Sequence, residues 1–227
     1  MSLNANDQQG GGPITEPMAP GTYPARVVVV ADLGLQAQQP FNGKDKAPVR
    51  MLNLTYEFVD EFLKDEDGND QTDKPRWLSE RFAFYNISAD KAKSTLRYKA
   101  LDPAGVHGGD FTKLVNTPCM VTVIHNPNKK NKGRVYENVH EVSPMRERDA
   151  NRCPPLVNQP VVFDLDEPDL VIFNKFPKFL QKTIKDNLNF AGSKLEALLK
   201  NQPVPKEEAK VDKKESAPVV DGDENPY

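Results

Sequence analysis

The nine residues Trp77-Leu78-Ser79-Glu80-Arg81-Phe82-Ala83-Phe84-Tyr85 alternate in a way that reads as one β-strand with two unlike faces. Side chains on a strand point to opposite sides in turn. Leu78, Phe82 and Phe84 therefore share one face with Glu80, while Trp77, Ser79, Arg81, Ala83 and Tyr85 share the other. The first set has the character of a core. The second, a row of aromatic, hydroxyl and guanidinium groups, has the character of a ligand surface. The strand before it, residues 50–58, repeats the pattern. Leu52, Leu54, Tyr56 and Phe58 form its apolar face, with Asn53, Thr55 and Glu57 opposite. Arg50 falls on the Leu52 face by strict parity, so it reaches the ligand side only if it precedes the regular strand.

Working outward, further β-branched and aromatic runs over residues 23–31, 119–125 and 134–142 are bounded by Gly, Pro or Asn clusters and predict three more strands. Between the third and fourth, residues 88–101 predict a helix, with Ser88 as N-cap, Asp90 in the first turn and Asp102-Pro103-Ala104-Gly105 as the stop. A mainly β chain with this order predicts a five-stranded, OB-fold-like Greek-key barrel over residues 21–145, rather than a sandwich of seven or more strands. No βαβ alternation supports a doubly wound sheet. Residues 1–20, which include Gly10-Gly11-Gly12-Pro13, read as a flexible arm, and 146–160 as a polar linker. In the helical extension at 161–200, Phe176, Phe179, Leu180, Ile184 and Leu188 recur at helical spacing, and Lys178, Lys182 and Lys185 take the opposite face. Residues 201–227 are charged without an apolar period, and read as a disordered acidic tail.

The formal net charge of −3 conceals a strong asymmetry. Residues 60–73 hold seven acids (Asp60, Glu61, Asp65, Glu66, Asp67, Asp70 and Asp73) against Lys64 alone, which leaves the remainder of the barrel region basic. Lys44 and Lys46 follow the first strand. Lys129, Lys130, Lys132 and Arg134 fall between the fourth and fifth. In OB-folds these two connections flank the binding face of strands 2 and 3. A single-stranded nucleic acid needs cations along its phosphates and flat rings on which bases stack, each stack contributing roughly 1–3 kcal/mol. Trp77, Tyr85 and Arg81 supply both on one face, with Arg50 and Asn53 beside them.

Other chemistries fail on spacing. Asp65-Glu66-Asp67-Gly68-Asn69-Asp70 suggests a calcium loop, but its glycine is fourth rather than sixth and Arg76 stands where the closing Glu belongs, so a hairpin turn is expected. His107, His125, His140 and Cys119 share no metal-ligand spacing, and His125 lies about 20 Å along a strand from Cys119. The chain carries no nucleophile elbow and no phosphate loop, and His107-Gly108-Gly109-Asp110 reads as a connector, so neither catalysis nor a cofactor is expected. Two cysteines, Cys119 and Cys153, cannot form a disulfide framework and suit a reducing cytoplasm. There is no apolar run of membrane-spanning length, and the first residues lack the regions of a signal peptide.

Four short stretches then carry a resemblance: Pro20-Gly21-Thr22-Tyr23-Pro24-Ala25 leading into a Val-rich strand, Leu52-Asn53-Leu54-Thr55-Tyr56-Glu57-Phe58-Val59, Thr117-Pro118-Cys119-Met120-Val121-Thr122-Val123, and Tyr136-Glu137-Asn138-Val139. In this order they resemble the bacteriophage single-stranded-DNA-binding proteins of the OB-fold type, over about residues 18–145. The ending Asp221-Gly222-Asp223-Glu224-Asn225-Pro226-Tyr227 is similar to the acidic tails of bacterial and phage single-strand binders, with Tyr227 in place of the usual Phe and Asn225 interrupting the acids. The resemblance implies sequence-nonspecific protection of single-stranded DNA during phage replication or recombination. It also implies recruitment of partners such as a polymerase or helicase-primase by Asp221, Asp223, Glu224, Pro226 and Tyr227. The rival from the residues is a structural or protein-interaction module, an acidic DNA mimic or inhibitor without nucleic-acid binding, which the pI of 5.7 favours.

Overall fold

Val27-Val28-Val29-Val30-Ala31 is apolar without alternation because the strand that contains it, β1 (Gly21–Gln36), is covered on both faces. The computed structural model describes residues 16–40, 43–127 and 135–201. β1 pairs antiparallel with β2 (Val49–Lys64), and β2 with β3 (Asp70–Ala83). The other edge of β1 is shared: residues 21–26 pair antiparallel with β4 (Pro118–Pro127), and residues 29–31 pair parallel with β6 (Val161–Phe163). β5 (Val135–Pro144) completes the path β3-β2-β1-β4-β5. The five expected strands form, and β6 adds a sixth within a region expected to be helical.

Among the described residues no ladder joins β3 to β5, so the sheet is open where a closed barrel was expected. Helix α1 (Lys93–Leu101) packs against both of these strands and bridges them through Arg97. Its guanidinium donates to Glu80 on β3 at 2.7 and 3.1 Å and to the His140 carbonyl on β5 at 3.0 Å. The helix starts five residues later than its sequence suggests. Asn86 takes the Ser88 N–H with its side chain and the Ala89 N–H with its carbonyl, so this stretch is spent on tight turns before Ala92 opens the helix without a side-chain cap.

Two cores lie on opposite sides of β1. The first gathers Val27, Val30, Leu54, Tyr56, Phe58, Phe82, Tyr98, Phe111 and Val121. The second joins Val28, Val29, Ala31 and Leu33 of β1 to Phe163, Phe173, Phe176, Leu180, Ile184 and Leu195. The later residues come from β6, from α3 (Leu170–Lys175) and its C-cap Phe176, and from α4 (Lys178–Lys185) and α5 (Lys194–Leu199), which follow the single turn of α2 (Glu147–Ala150). Asp169 opens α3 by accepting the Val171 N–H at 2.6 Å, and Ser193 opens α5 by accepting that of Glu196 at 3.1 Å. α4 is shorter than the expected amphipathic stretch. Phe176, Leu180 and Ile184 are buried, but Phe179 and Leu188, expected on the same apolar stripe, are exposed. No helix among the described residues is long and apolar enough to cross a membrane.

The acidic stretch 60–73 is a long hairpin rather than a loop, since β2 continues to Lys64 and β3 resumes at Asp70. The turn expected at 65–70 is present. Asp65 Oδ1 accepts the Asp67 and Asn69 N–H groups at 3.0 and 2.8 Å, and the Asn69 backbone hydrogen bond is the first cause holding the Asp65 carboxyl below its ordinary range.

Gly34 marks where the second core presses onto β1. It sits at a bulge with φ +73°, and a Cβ there would lie 2.7 Å from the Asn187 side chain and 2.9 Å from that of Leu165. A left-handed backbone costs a substituted residue roughly 1–2 kcal/mol and overpacking roughly 1–3. Gly34→Ala is therefore expected to lose about 2–5 kcal/mol in chemical denaturation.

Candidate functional site

The outer face of β3 is built by alternation, as its sequence requires. Phe82 and Glu80 point inward and are buried, Leu78 and Phe84 pack against the first core, and Trp77, Ser79, Arg81 and Tyr85 are exposed. Register pairs Trp77 with Glu57, Ser79 with Thr55 and Arg81 with Asn53 across β2. The β2 half of the face is not open, however: Asn53, Thr55 and Glu57 are all buried.

The cover is the chain after residue 155. Glu57, 1% exposed, accepts the Val157 N–H at 2.6 Å and the Asn158 side-chain amide at 2.7 Å, clasping the incoming segment to the sheet. The same carboxylate accepts the Trp77 indole N–H at 2.9 Å, which fixes one edge of a ring that remains 47% exposed. Here the segment that buries half of the sheet face also orients its largest aromatic side chain.

Between this face and helices α3 and α4 lies a cleft of about 350 Å³. Asn53, Thr55 and Ser79 contribute polar groups, Trp77, Phe176, Phe179 and Leu180 contribute apolar surface, and Lys175 adds a cation. The Asn53 amide donates to Thr55 Oγ1 at 3.1 Å, and the Thr55 and Ser79 hydroxyls share a hydrogen bond at 2.8 Å. A second cleft of about 550 Å³ includes the next outward residues of β3, Arg81 and Ala83, together with Gln36, Gln38, Lys93 and Thr183. α4 contributes to both clefts, through Phe179 and Leu180 in the first and Thr183 in the second. The two clefts, which have no lining residue in common, make a discontinuous trough: flat rings fit the first, and anionic groups can meet Lys175 there and Arg81 in the second.

The residues singled out from sequence separate into groups. Trp77 and Arg81 lie on the trough as expected. Asn53 lies on it as a buried residue rather than an open one, because the later segment covers β2. Arg50 is taken by Asp32, which receives its Nε at 3.1 Å and a terminal nitrogen at 2.5 Å, with Asp164 and Asp166 about 4 Å away. The Asp32 hydrogen bonds are the first cause of its raised pKa, and they tie the guanidinium to β1 while its side chain stays 45% exposed. Tyr85 lies beyond the end of β3 in a different recess of about 190 Å³, beside Tyr98 and Phe111. Lys44 and Lys46 are exposed in the β1–β2 connection. Lys129, Lys130, Lys132 and Arg134 lie outside the described residues, as do Asp221, Asp223, Glu224, Pro226 and Tyr227.

Sequence reasoning missed Phe179 and Lys175. Phe179 is adjacent to Leu180 in an apolar period, and only contact with the sheet distinguishes the buried neighbour from the exposed one. One signal for a covering layer was present: the unbroken apolar run of β1 requires apolar partners on both sides. No protein-family model matches the chain, and no curated protein matches it.

Proposed function

We propose that this protein binds single-stranded DNA along the outer face of β3, without strong sequence preference, and protects it during phage DNA replication or recombination. The observation that carries the reading is the row of Trp77, Ser79 and Arg81, exposed on one strand and lining two successive clefts. A stacking ring and a cation in sequence along a trough are what a single strand needs from a protein. The strand order β3-β2-β1-β4-β5, with α1 between β3 and β4 and with β3 and β5 approaching each other, supports assigning the sheet to an incompletely closed OB-type barrel. In such barrels this face is the usual nucleic-acid surface. The acidic tail, with Asp221, Asp223, Glu224, Pro226 and Tyr227, is proposed to recruit a replication partner such as a polymerase or helicase-primase.

Trp77 is the only tryptophan, so its fluorescence reports directly on the proposed surface. Titration with an unstructured oligonucleotide is expected to quench it, with affinity falling as salt rises because phosphate contacts release counterions. Trp77→Ala is expected to cost about 1–3 kcal/mol of binding, read by anisotropy of a labelled strand, and to leave the fold intact. Absence of quenching and of any anisotropy change would transfer the assignment to a protein-interaction module, which the acidic hairpin and the net charge of −3 otherwise favour.

A further inference from the structure

We infer that the cleft between β3 and α4 is a base-binding subsite in which one nucleobase of the bound strand stacks between Trp77 and Phe179, with its polar edge toward Asn53 and Ser79. This rests on the proposed single-strand binding, and adds to it a second wall supplied by the covering segment rather than by the barrel.

Phe179 is 60% exposed on a helix whose neighbouring Leu180 and Ile184 are buried. Exposing a large ring beside a half-exposed tryptophan from a different element forms an apolar patch that a ligand can cover. The two rings line one cleft, and its volume of about 350 Å³ admits a planar heterocycle. A purely apolar side chain would need only the walls. The same cleft also presents an amide and two hydroxyls, bonded in series from Asn53 through Thr55 to Ser79. Amide and hydroxyl groups together offer both donors and acceptors, which suits the ring edge of a base. Lys175 belongs to the same cleft, and Arg81 lies four residues along β3, about 13 Å at the rise of a strand. A base in the cleft would thus leave its flanking phosphates near cations, a charge match that an uncharged apolar peptide would not use.

The subsite makes Phe179 a contact residue, and its ring rather than its bulk the active feature. The test uses the full chain and labelled single strands of dT, dA and dC of equal length, with anisotropy and Trp77 quenching as readouts. Phe179→Ala and Phe179→Leu are both expected to weaken binding roughly 5- to 150-fold, the range of one lost stack, while Phe179→Trp retains it. Asn53→Asp is expected to change the ranking of dT, dA and dC rather than to weaken all three equally. Thermal melts of each variant separate binding losses from unfolding, and because Phe179 is exposed its variants are expected to melt as the parent does. Wild-type affinity in Phe179→Ala, or in Phe179→Leu, overturns the stacking subsite while leaving single-strand binding in place. Failure of the parent protein to bind any of the three strands overturns both.

Discussion

Replacing Arg97 with methionine is expected to lower the stability of the folded chain by about 3–5 kcal/mol, because it removes the buried partner of a buried carboxylate and leaves it only a half-exposed lysine as counter-charge. Glu80 and Arg97 are both buried, and two hydrogen bonds join them. Lys93 at 2.7 Å and the Tyr56 hydroxyl at 2.7 Å complete the surroundings of the carboxylate, and burial pushes the Tyr56 phenol well above its ordinary pKa. The same guanidinium also reaches β5, so its loss removes the bridge across the open side of the sheet. Replacing both partners, as Glu80→Gln with Arg97→Met, is expected to recover much of the loss, because no unpaired charge then remains buried. Urea denaturation of the two single variants and the double variant gives the coupling directly.

The pH dependence of that pair has a definite sign. Burial alone would raise the Glu80 carboxyl, but the Arg97 hydrogen bonds and charge, with Lys93 and Tyr56, leave it below its ordinary range. A depressed carboxyl contributes stability that is present above its unfolded pKa of about 4.3 and is lost as pH falls through the folded value. In Arg97→Met the largest opposing contributions are gone, so the depression of the carboxyl shrinks while Lys93 and Tyr56 still oppose burial. The stability it contributes above the unfolded pKa should then be smaller than in the parent. The difference in stability between parent and variant is therefore expected to narrow on acidification, and a constant difference from pH 7 to pH 3 would count against this account.

Phe173→Ala is expected to cost about 3–5 kcal/mol as well, through the cavity it leaves in the second core. Phe173 is fully buried, with the Phe163 ring 6.1 Å away and Lys185 Nζ 5.5 Å from its centroid. Four of the ten buried residues of that core belong to β1, so β6 and the later helices are structurally continuous with the sheet. Unfolding followed by Trp77 fluorescence and by far-ultraviolet circular dichroism should accordingly give coincident transitions in the parent and in the variant. An early transition confined to part of the signal would mean that residues 156–199 unfold as a separate unit. Because this segment covers β2 and supplies one wall of the cleft, such uncoupling would also detach the proposed binding surface from the rest of the fold.

The sequence by itself determined the five strands β1 to β5, though not β6, and the faces of β3, because alternation is a local rule: a residue's side of the strand follows from its parity. Phe82 inward and Trp77 outward were legible for that reason, as was the turn at Asp65, where one carboxylate satisfies the following backbone N–H groups. Only the tertiary structure decided which outward residues stay available. Arg50 is paired with Asp32, eighteen positions earlier, Glu57 is held by a segment about a hundred residues later, and that segment leaves Asn53 and Thr55 facing a walled cleft instead of an open sheet face. The same packing leaves Phe179 exposed while burying Leu180 beside it. Periodicity assigns a residue to a face of its own element, but the burial of that face depends on what docks there, and this docking joins parts of the chain that no local pattern links.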